Sequence, residues 1–240
     1  MPEKEPASLA VFASGSGSNL QALLDRFGRD GHPDASAQVV LVLSDRPGIR
    51  ALERAEDSGV PTAVLDPKEF DAPEGFAAAL LAALRESGVQ LVALAGYLRL
   101  VPATVIEEFR GRIINIHPAP LPAFGGPGMY GQRVHQAVLK SGIKISGPTA
   151  HFVDERYDTG PIIAQWPVPV LPGDDAAALA GRVLRYEHRL YPSVVRALAR
   201  GEVELDAAGR VRSSAAAGED SVGFALAREA GALNSIIFLG

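Results

Sequence analysis

The chain has 240 residues, 47% of them hydrophobic and 21% charged, with a formal net charge of -5 and no cysteine. That length admits one large domain or two small ones, and the composition is that of a soluble globular protein. The missing cysteines exclude disulfides, thiolate catalysis and Cys-based zinc sites, and the negative charge argues against a nucleic-acid backbone as main partner.

The opening MPEKEPASLAVFASG carries two glutamates and only a short apolar run that leads straight into glycines, so it does not read as a signal peptide. No apolar run approaches the ~20 residues of a membrane span. The expectation is a cytoplasmic protein with no membrane or nucleic-acid partner.

In chain order, LAVFA (9–13) is a strand and NLQALLDRF (19–27) a helix with Leu20, Leu23, Leu24 and Phe27 on one face. QVVLVLS (38–44) is a strand. GIRALERAEDSG (48–59) is a helix capped by Gly59, PTAVL (61–65) a short strand and EGFAAALLAALRESG (74–88) a helix. VQLVALAG (89–96) and RIINI (112–116) are further strands. Fully apolar strands alternating with helices predict an α/β fold: a Rossmann-like, mostly parallel sheet with helices on both faces.

After residue 130 the pattern changes. GQRVHQAVLKSG (131–142) is helical, ISGPTAHFV (145–153) and PIIAQWPVPV (161–170) are strands, and residues 174–201 form one long helix with a bend expected at Pro192. VELDAAGRVR (203–212) predicts a hairpin turning around Ala207–Gly209. One domain over 1–205 is expected, with 206–240 as a tail of uncertain order.

ASGSGSNLQALL joins the first strand to the first helix, where open α/β sheets bind anions. Leu20 stands where a dinucleotide fingerprint has its third glycine, and no Gly-Lys-Ser/Thr follows as in a Walker loop. A small phosphate suits the loop better, with Gly17, Ser18 and Asn19 as donors; the plainer alternative is that Ser18 or Asn19 merely caps the helix.

In IINIHPAPLPAF, Asn115 and His117 stand two apart in extended chain and so share a face at the carboxyl end of a strand. The prolines that follow are expected to hold the next residues extended. An amide can donate to a developing oxyanion, and an imidazolium can do the same or pass a proton to a leaving nitrogen. With no cysteine and no Gly-x-Ser-x-Gly elbow, direct transfer between two bound substrates is the chemistry left. A charged His117 needs a carboxylate beside it, since a free histidine titrates near pH ~6.5. Asp154, Glu155 and Asp158, on the loop between the two late strands, are the candidates, and the spacing does not choose among them. Taken alone, His117 reads as a capping or core histidine, Asp158 as a turn residue and His151 as a hydrogen-bonded core histidine. The five histidines show no metal-ligand spacing, so no metal is expected.

Together SGSGSN, LAGYLRL, NIHPAPLPAF and HFVDERYDTGPI resemble the phosphoribosylglycinamide formyltransferase family of purine biosynthesis, in order over residues 7–205. The resemblance implies transfer of the formyl group of 10-formyltetrahydrofolate, the co-substrate, to the amine of phosphoribosylglycinamide. It implies that Asn115 and protonated His117 stabilise the tetrahedral oxyanion, and that Asp158 raises the pKa of His117. It further implies Gly17, Ser18 and Asn19 at the substrate phosphate and Glu187 at the ribose hydroxyls. Leu98, Arg99, Leu100 and Val101 would hold the pterin with Asn115, Asp154 and Asp158, and His151 would lie in or beside the site. Without the resemblance, Glu187 reads as a solvated helix acid. Two departures stand out: Pro73 occupies a position where some members carry a basic residue for the folate tail, with Lys68 nearby, and the segment beyond 206 has no counterpart. A homodimer is compatible with this reading.

Other formyltransferases of the fold usually carry an RGAAP-like run after the His-Pro loop and a further C-terminal domain, and the hydrolases an extra N-terminal domain; here the run is AFGGPGMYGQ. A dinucleotide-dependent dehydrogenase would use an acid closing the second strand, as Asp45 does, but lacks its third glycine. A silent binding protein would have no need of Asn115, His117 and Asp158 together.

Overall fold

A computed structural model of the chain describes residues 5–28 and 34–213. Five strands lie parallel: β1 (Ala7–Ala13), β2 (Ala37–Ser44), β3 (Thr62–Val64), β4 (Leu91–Leu94) and β5 (Ile113–His117). Antiparallel β7 (Thr149–Phe152) and β8 (Ile162–Gln165) extend the sheet, giving the order β3-β2-β1-β4-β5-β7-β8. The chain runs outward from β1 to β3, then returns to place β4 on the other side of β1. The sheet therefore has its topological switch between β1 and β4, where ligands enter such folds.

Alternation along β1 builds the two faces. Leu9, Val11 and Ala13 pack with α1 (Ser18–Phe27), α2 (Arg50–Asp57), α5 (Gln132–Ser141) and α6 (Ala176–Arg200). Ala10 and Phe12 face the opposite layer, where α3 (Pro73–Glu86) and α4 (Ala103–Glu108) contribute Phe76, Leu80, Leu84 and Val105. The stripe Leu20, Leu23, Leu24 and Phe27 is buried as its spacing requires. Each such side chain contributes roughly 1.5–3 kcal/mol by leaving water.

α6 starts at Asp175, whose carboxylate accepts from the Ala178 N–H at 2.7 Å, and runs unbroken through Pro192 to Gly201. The Tyr191 hydroxyl, fully buried, donates to the Leu94 carbonyl at 2.9 Å and lies 3.1 Å from that of Ile114. That bond fixes the height of α6 against the ends of β4 and β5.

Some expected elements differ. The six-residue helix α4 is too short to show a period. The strand expected over 145–153 divides at Gly147–Pro148 into β6 (Ile145–Ser146) and β7, and that over 161–170 divides at Trp166–Pro167 into β8 and β9 (Val168–Pro169). Both break together because β6 pairs with β9 in a separate small sheet. Proline cannot donate to the ladder, and Gly147, at φ 133°, lets the Trp166 carbonyl pass where a Cβ would stand 1.7 Å away. The segment after His117 curls rather than extends: the Phe124 N–H donates to the Pro120 carbonyl at 3.1 Å. A φ near -65° suits a turn as well as an extended run. The hairpin forms, as β10 (Val203–Leu205) and β11 (Val211–Ser213), and thus crosses residue 206; the rest of the expected tail, 214–240, lies outside the described residues. Among the described residues no helix is long and apolar enough to cross a membrane.

Candidate active site

A cavity of about 710 Å³ opens at the switch between β1 and β4. Gly17, Asn19 and Glu187 line one region of it, Asn115, His117, His151 and Asp158 another, and Leu98–Val101 a third.

The glycine loop owes its shape to Gly17, which begins α1 in a left-handed conformation (φ 71°) and lies against α2, so that a Cβ would stand 2.8 Å from Ala51. No side chain caps α1. Asn19 instead donates from its amide to Glu187 at 2.6 Å, leaving its own oxygen buried without a partner among the described residues. The backbone N–H groups of the first turn are therefore left uncapped by any side chain. Burial raises the pKa of Glu187 above the ordinary glutamate value, with the Asn19 amide pulling the other way.

Asn115 sits opposite His151 in the antiparallel β5–β7 register. His151 Nδ1 lies 2.7 Å from the Phe152 carbonyl and so carries the proton. In the neutral ring Nε2 then accepts from the Asn115 amide, 3.1 Å away, and the second amide hydrogen is left for the cavity.

Asp158 adopts φ 58°, the only non-glycine residue at positive φ among the described residues. Aspartate tolerates this conformation at a cost of about 1 kcal/mol. One carboxylate oxygen accepts from the Gly126 N–H at 2.9 Å; the other lies 3.5 Å from His117 Nδ1 and 3.7 Å from His151 Nε2. Burial alone would raise its pKa, but His151 and His117 in their charged forms and the Gly126 N–H hold it below the usual carboxylate range. Asp154 turns back on its own loop, accepting from Thr159 Oγ1 and the Arg156 N–H, and Glu155 is exposed. Of the three acids, Asp158 is the one that reaches the histidines.

His117 departs from expectation. Burial lowers its pKa below the ordinary histidine value, and the pull of Asp158 and the Phe124 carbonyl does not restore it. Its Nε2 donates to that carbonyl at 2.8 Å. In this structure the ring is thus biased toward neutrality, not toward the protonated form expected from the sequence.

Leu98 and Leu100 are exposed at the cavity mouth, whereas Val101 is buried in the second core layer. Tyr157 leans from the acid loop toward the Leu98 carbonyl, 3.4 Å away. Pro73 begins α3, and neither it nor Lys68 lines the cavity. Sequence reasoning missed His135, a buried cavity-lining residue of α5 with Nδ1 unpartnered among the described residues; nothing in its amphipathic setting sets it apart. Asp45 is taken up by Arg46 and Arg99 and is not free to hold a ribose. Among the described residues no group of three or more His, Cys, Asp or Glu could hold a metal ion.

An amide, an imidazole and a carboxylate thus gather beside the switch point of an open α/β sheet, and the chain belongs to the formyl transferase family, whose model matches residues 7–195. It is 47% identical over 192 residues to the chloroplastic phosphoribosylglycinamide formyltransferase of Vigna unguiculata, covering 79% of this chain and 60% of that protein. It is 41% identical to the phosphoribosylglycinamide formyltransferase of Bacillus subtilis, covering 79% of this chain and 93% of the relative. The solved glycinamide ribonucleotide transformylase 1 of Symbiobacterium toebii superposes with a TM-score of 0.77 at 41% identity, over 87% of this chain and 94% of that one. The chain thus spans about 60% of the length of the plant relative.

Proposed function

We propose that the protein transfers the formyl group of 10-formyltetrahydrofolate to the amine of phosphoribosylglycinamide. The observation that carries this is the convergence of Asn115, His117 and Asp158 in one cavity with Gly17, Asn19 and Glu187.

Substrate phosphate is held by the backbone N–H groups of Gly17, Ser18 and Asn19, where the helix terminus favours negative charge. The ribose hydroxyls donate to Glu187, and the unpartnered Asn19 oxygen offers a second acceptor. The pterin lies along Leu98–Val101, with Asp154 and Asp158 on the loop above it. This brings the amine to the formyl carbon beside Asn115.

As the new C–N bond forms, the formyl oxygen takes up negative charge, and the free Asn115 amide hydrogen donates to it. His117, neutral before the reaction with its hydrogen on Nε2, takes the proton from the attacking nitrogen on Nδ1. The imidazolium, stabilised by Asp158, shares in holding the oxyanion. It then returns the proton to the folate nitrogen as the old C–N bond breaks, releasing tetrahydrofolate. His151 keeps the Asn115 amide turned the right way.

A spectrophotometric assay of 10-formyltetrahydrofolate with and without phosphoribosylglycinamide tests the reading. Release of deformylated folate that requires the glycinamide is expected. Release without it indicates a hydrolase, and no release from a folded protein that binds folate indicates another acceptor or a silent binder.

A further inference from the structure

Asp45 follows β2, outside every motif that the reaction uses, yet its side chain is fully buried close to the cavity. Burial of a carboxylate is costly unless it is paired and hydrogen-bonded. Here it meets two guanidiniums and a hydroxyl. Arg46 grips both oxygens, Nε at 3.1 Å and Nη2 at 2.8 Å. Arg99 Nε reaches the second oxygen at 3.0 Å from 54 residues away. The Ser14 hydroxyl also hydrogen-bonds to Asp45, which leaves the Ser14 oxygen to accept from the Leu98 N–H at 3.1 Å.

Two of these arms end in consecutive residues of one loop. Arg99 is held by its side chain, and Leu98 by its backbone through Ser14. Ser14 is itself fixed at the end of β1, its N–H donating to the Gly96 carbonyl at 3.2 Å. Leu98 and Leu100, which flank Arg99, are among the most exposed apolar residues at the cavity mouth. Between the buried Tyr97 and Val101 the loop shows its leucines to water, and the buried carboxylate anchors that exposed stretch.

We infer that Asp45 is a positioning residue for the folate: through Ser14 and Arg99 it presets the Leu98–Val101 loop in the shape that receives the pterin. This rests on the proposed placement of the folate against that loop. Burial would raise the Asp45 pKa, but its hydrogen bonds with Arg46, Ser14 and Arg99 hold it down at about 2, so the anchor stays charged throughout any assay range. Preorganisation of this kind lowers the ordering cost of binding, so its loss falls on the ligand that touches the loop and spares the one at the glycine loop.

The test is calorimetric binding of 10-formyltetrahydrofolate and, separately, of phosphoribosylglycinamide to the full chain and to Asp45→Asn, Arg99→Met and the double variant. Asn keeps one acceptor where two guanidiniums need more. The expected result is a folate Kd about tenfold weaker for Asp45→Asn, as for a lost charge-assisted contact acting at one remove, and a glycinamide Kd within about twofold of the parent. Because Asp45 acts partly through Arg99, the double variant should lose less than the product of the two single losses. Fully multiplicative losses, equal losses for both ligands, or an unchanged folate Kd would overturn the inference. Should Asp45→Asn fail to fold, Ser14→Ala, outside the cavity lining, decides: selective weakening of folate supports the anchor, and an unchanged folate Kd sinks it. A parent that binds folate but transfers nothing to the glycinamide defeats the proposed function while the Kd ratios still decide for or against Asp45. A parent that binds no folate defeats both.

Discussion

The two sides of the sheet hold their polar groups by different means. On the parallel side, Gly17 begins a helix, and Asn115 and His117 alternate with the core residues Ile114 and Ile116 along β5. Their directions follow from helix and strand geometry, which the packed layers enforce. On the antiparallel side, Asp158 hangs from a loop in a left-handed conformation, tied by the Gly126 N–H and steered by two histidines. The parallel side is rigid because the fold needs it. The other side is arranged for charge, at a cost in local backbone energy.

The contrast implies that loop-side changes should damage chemistry and leave stability alone, while changes beside the core should do both. The largest effect is expected for Asp158→Asn on the loop and His117→Ala on β5: turnover at least ~10²-fold lower in both, with a melting temperature little changed for Asp158→Asn and lowered for the buried His117→Ala. Rates across pH sharpen the point. Protonation of His117 disables it as the base, so the rate falls as pH drops through its pKa. Asp158 raises that pKa, so Asp158→Asn should move the acid limb to lower pH; a shift to higher pH, or none, would contradict the pairing.

Gly17→Ala comes next. A Cβ pressed against Ala51 at positive φ should cost about 1–2 kcal/mol of stability and raise KM for the glycinamide, both readable from one denaturation and one kinetic series. Glu187→Gln should separate stability from binding. The raised pKa of Glu187 means that the folded chain keeps a proton which the unfolded chain has lost above its own, lower pKa. Stability therefore declines as pH rises through that window and beyond until the folded group ionises. The neutral glutamine should remove that decline and raise the melting temperature at neutral pH, while weakening glycinamide binding. Melting curves across pH for both proteins check the sign. Smallest is Tyr157→Phe, which removes only a 3.4 Å contact to Leu98 and should change folate affinity by less than about threefold.

The parallel half was legible because strands buried on both faces read as unbroken apolar runs, and α1 showed its stripe plainly. The amide and imidazole at the end of β5 followed from strand alternation alone. Less could be read beyond residue 140. The strands at 145–153 and 161–170 keep an apolar pattern across Gly147–Pro148 and Trp166–Pro167, so pattern alone does not reveal that each changes sheets there. The choice of Asp158 over Asp154 depends on a side-chain bond to Thr159, which local spacing does not determine. The neutral bias of His117 depends on how deeply the loop around Phe124 covers it. Arg99 and Asp45 lie too far apart in sequence to be joined by any motif.

The Phe152 carbonyl has a consequence beyond its own strand. By claiming the Nδ1 hydrogen of His151 it gives a polarity to the short chain that runs through the imidazole to Asn115 and ends at the cavity. Nδ1–H donates to the carbonyl, Nε2 accepts one hydrogen of the Asn115 amide, and the amide's other hydrogen is left for a substrate atom that accepts. Aspartate has nearly the shape of asparagine, but at position 115 it would set a carboxylate against a nitrogen lone pair and offer the cavity an acceptor. The site is therefore handed in its hydrogen bonding as well as in its shape, and one backbone oxygen outside the cavity sets that sense.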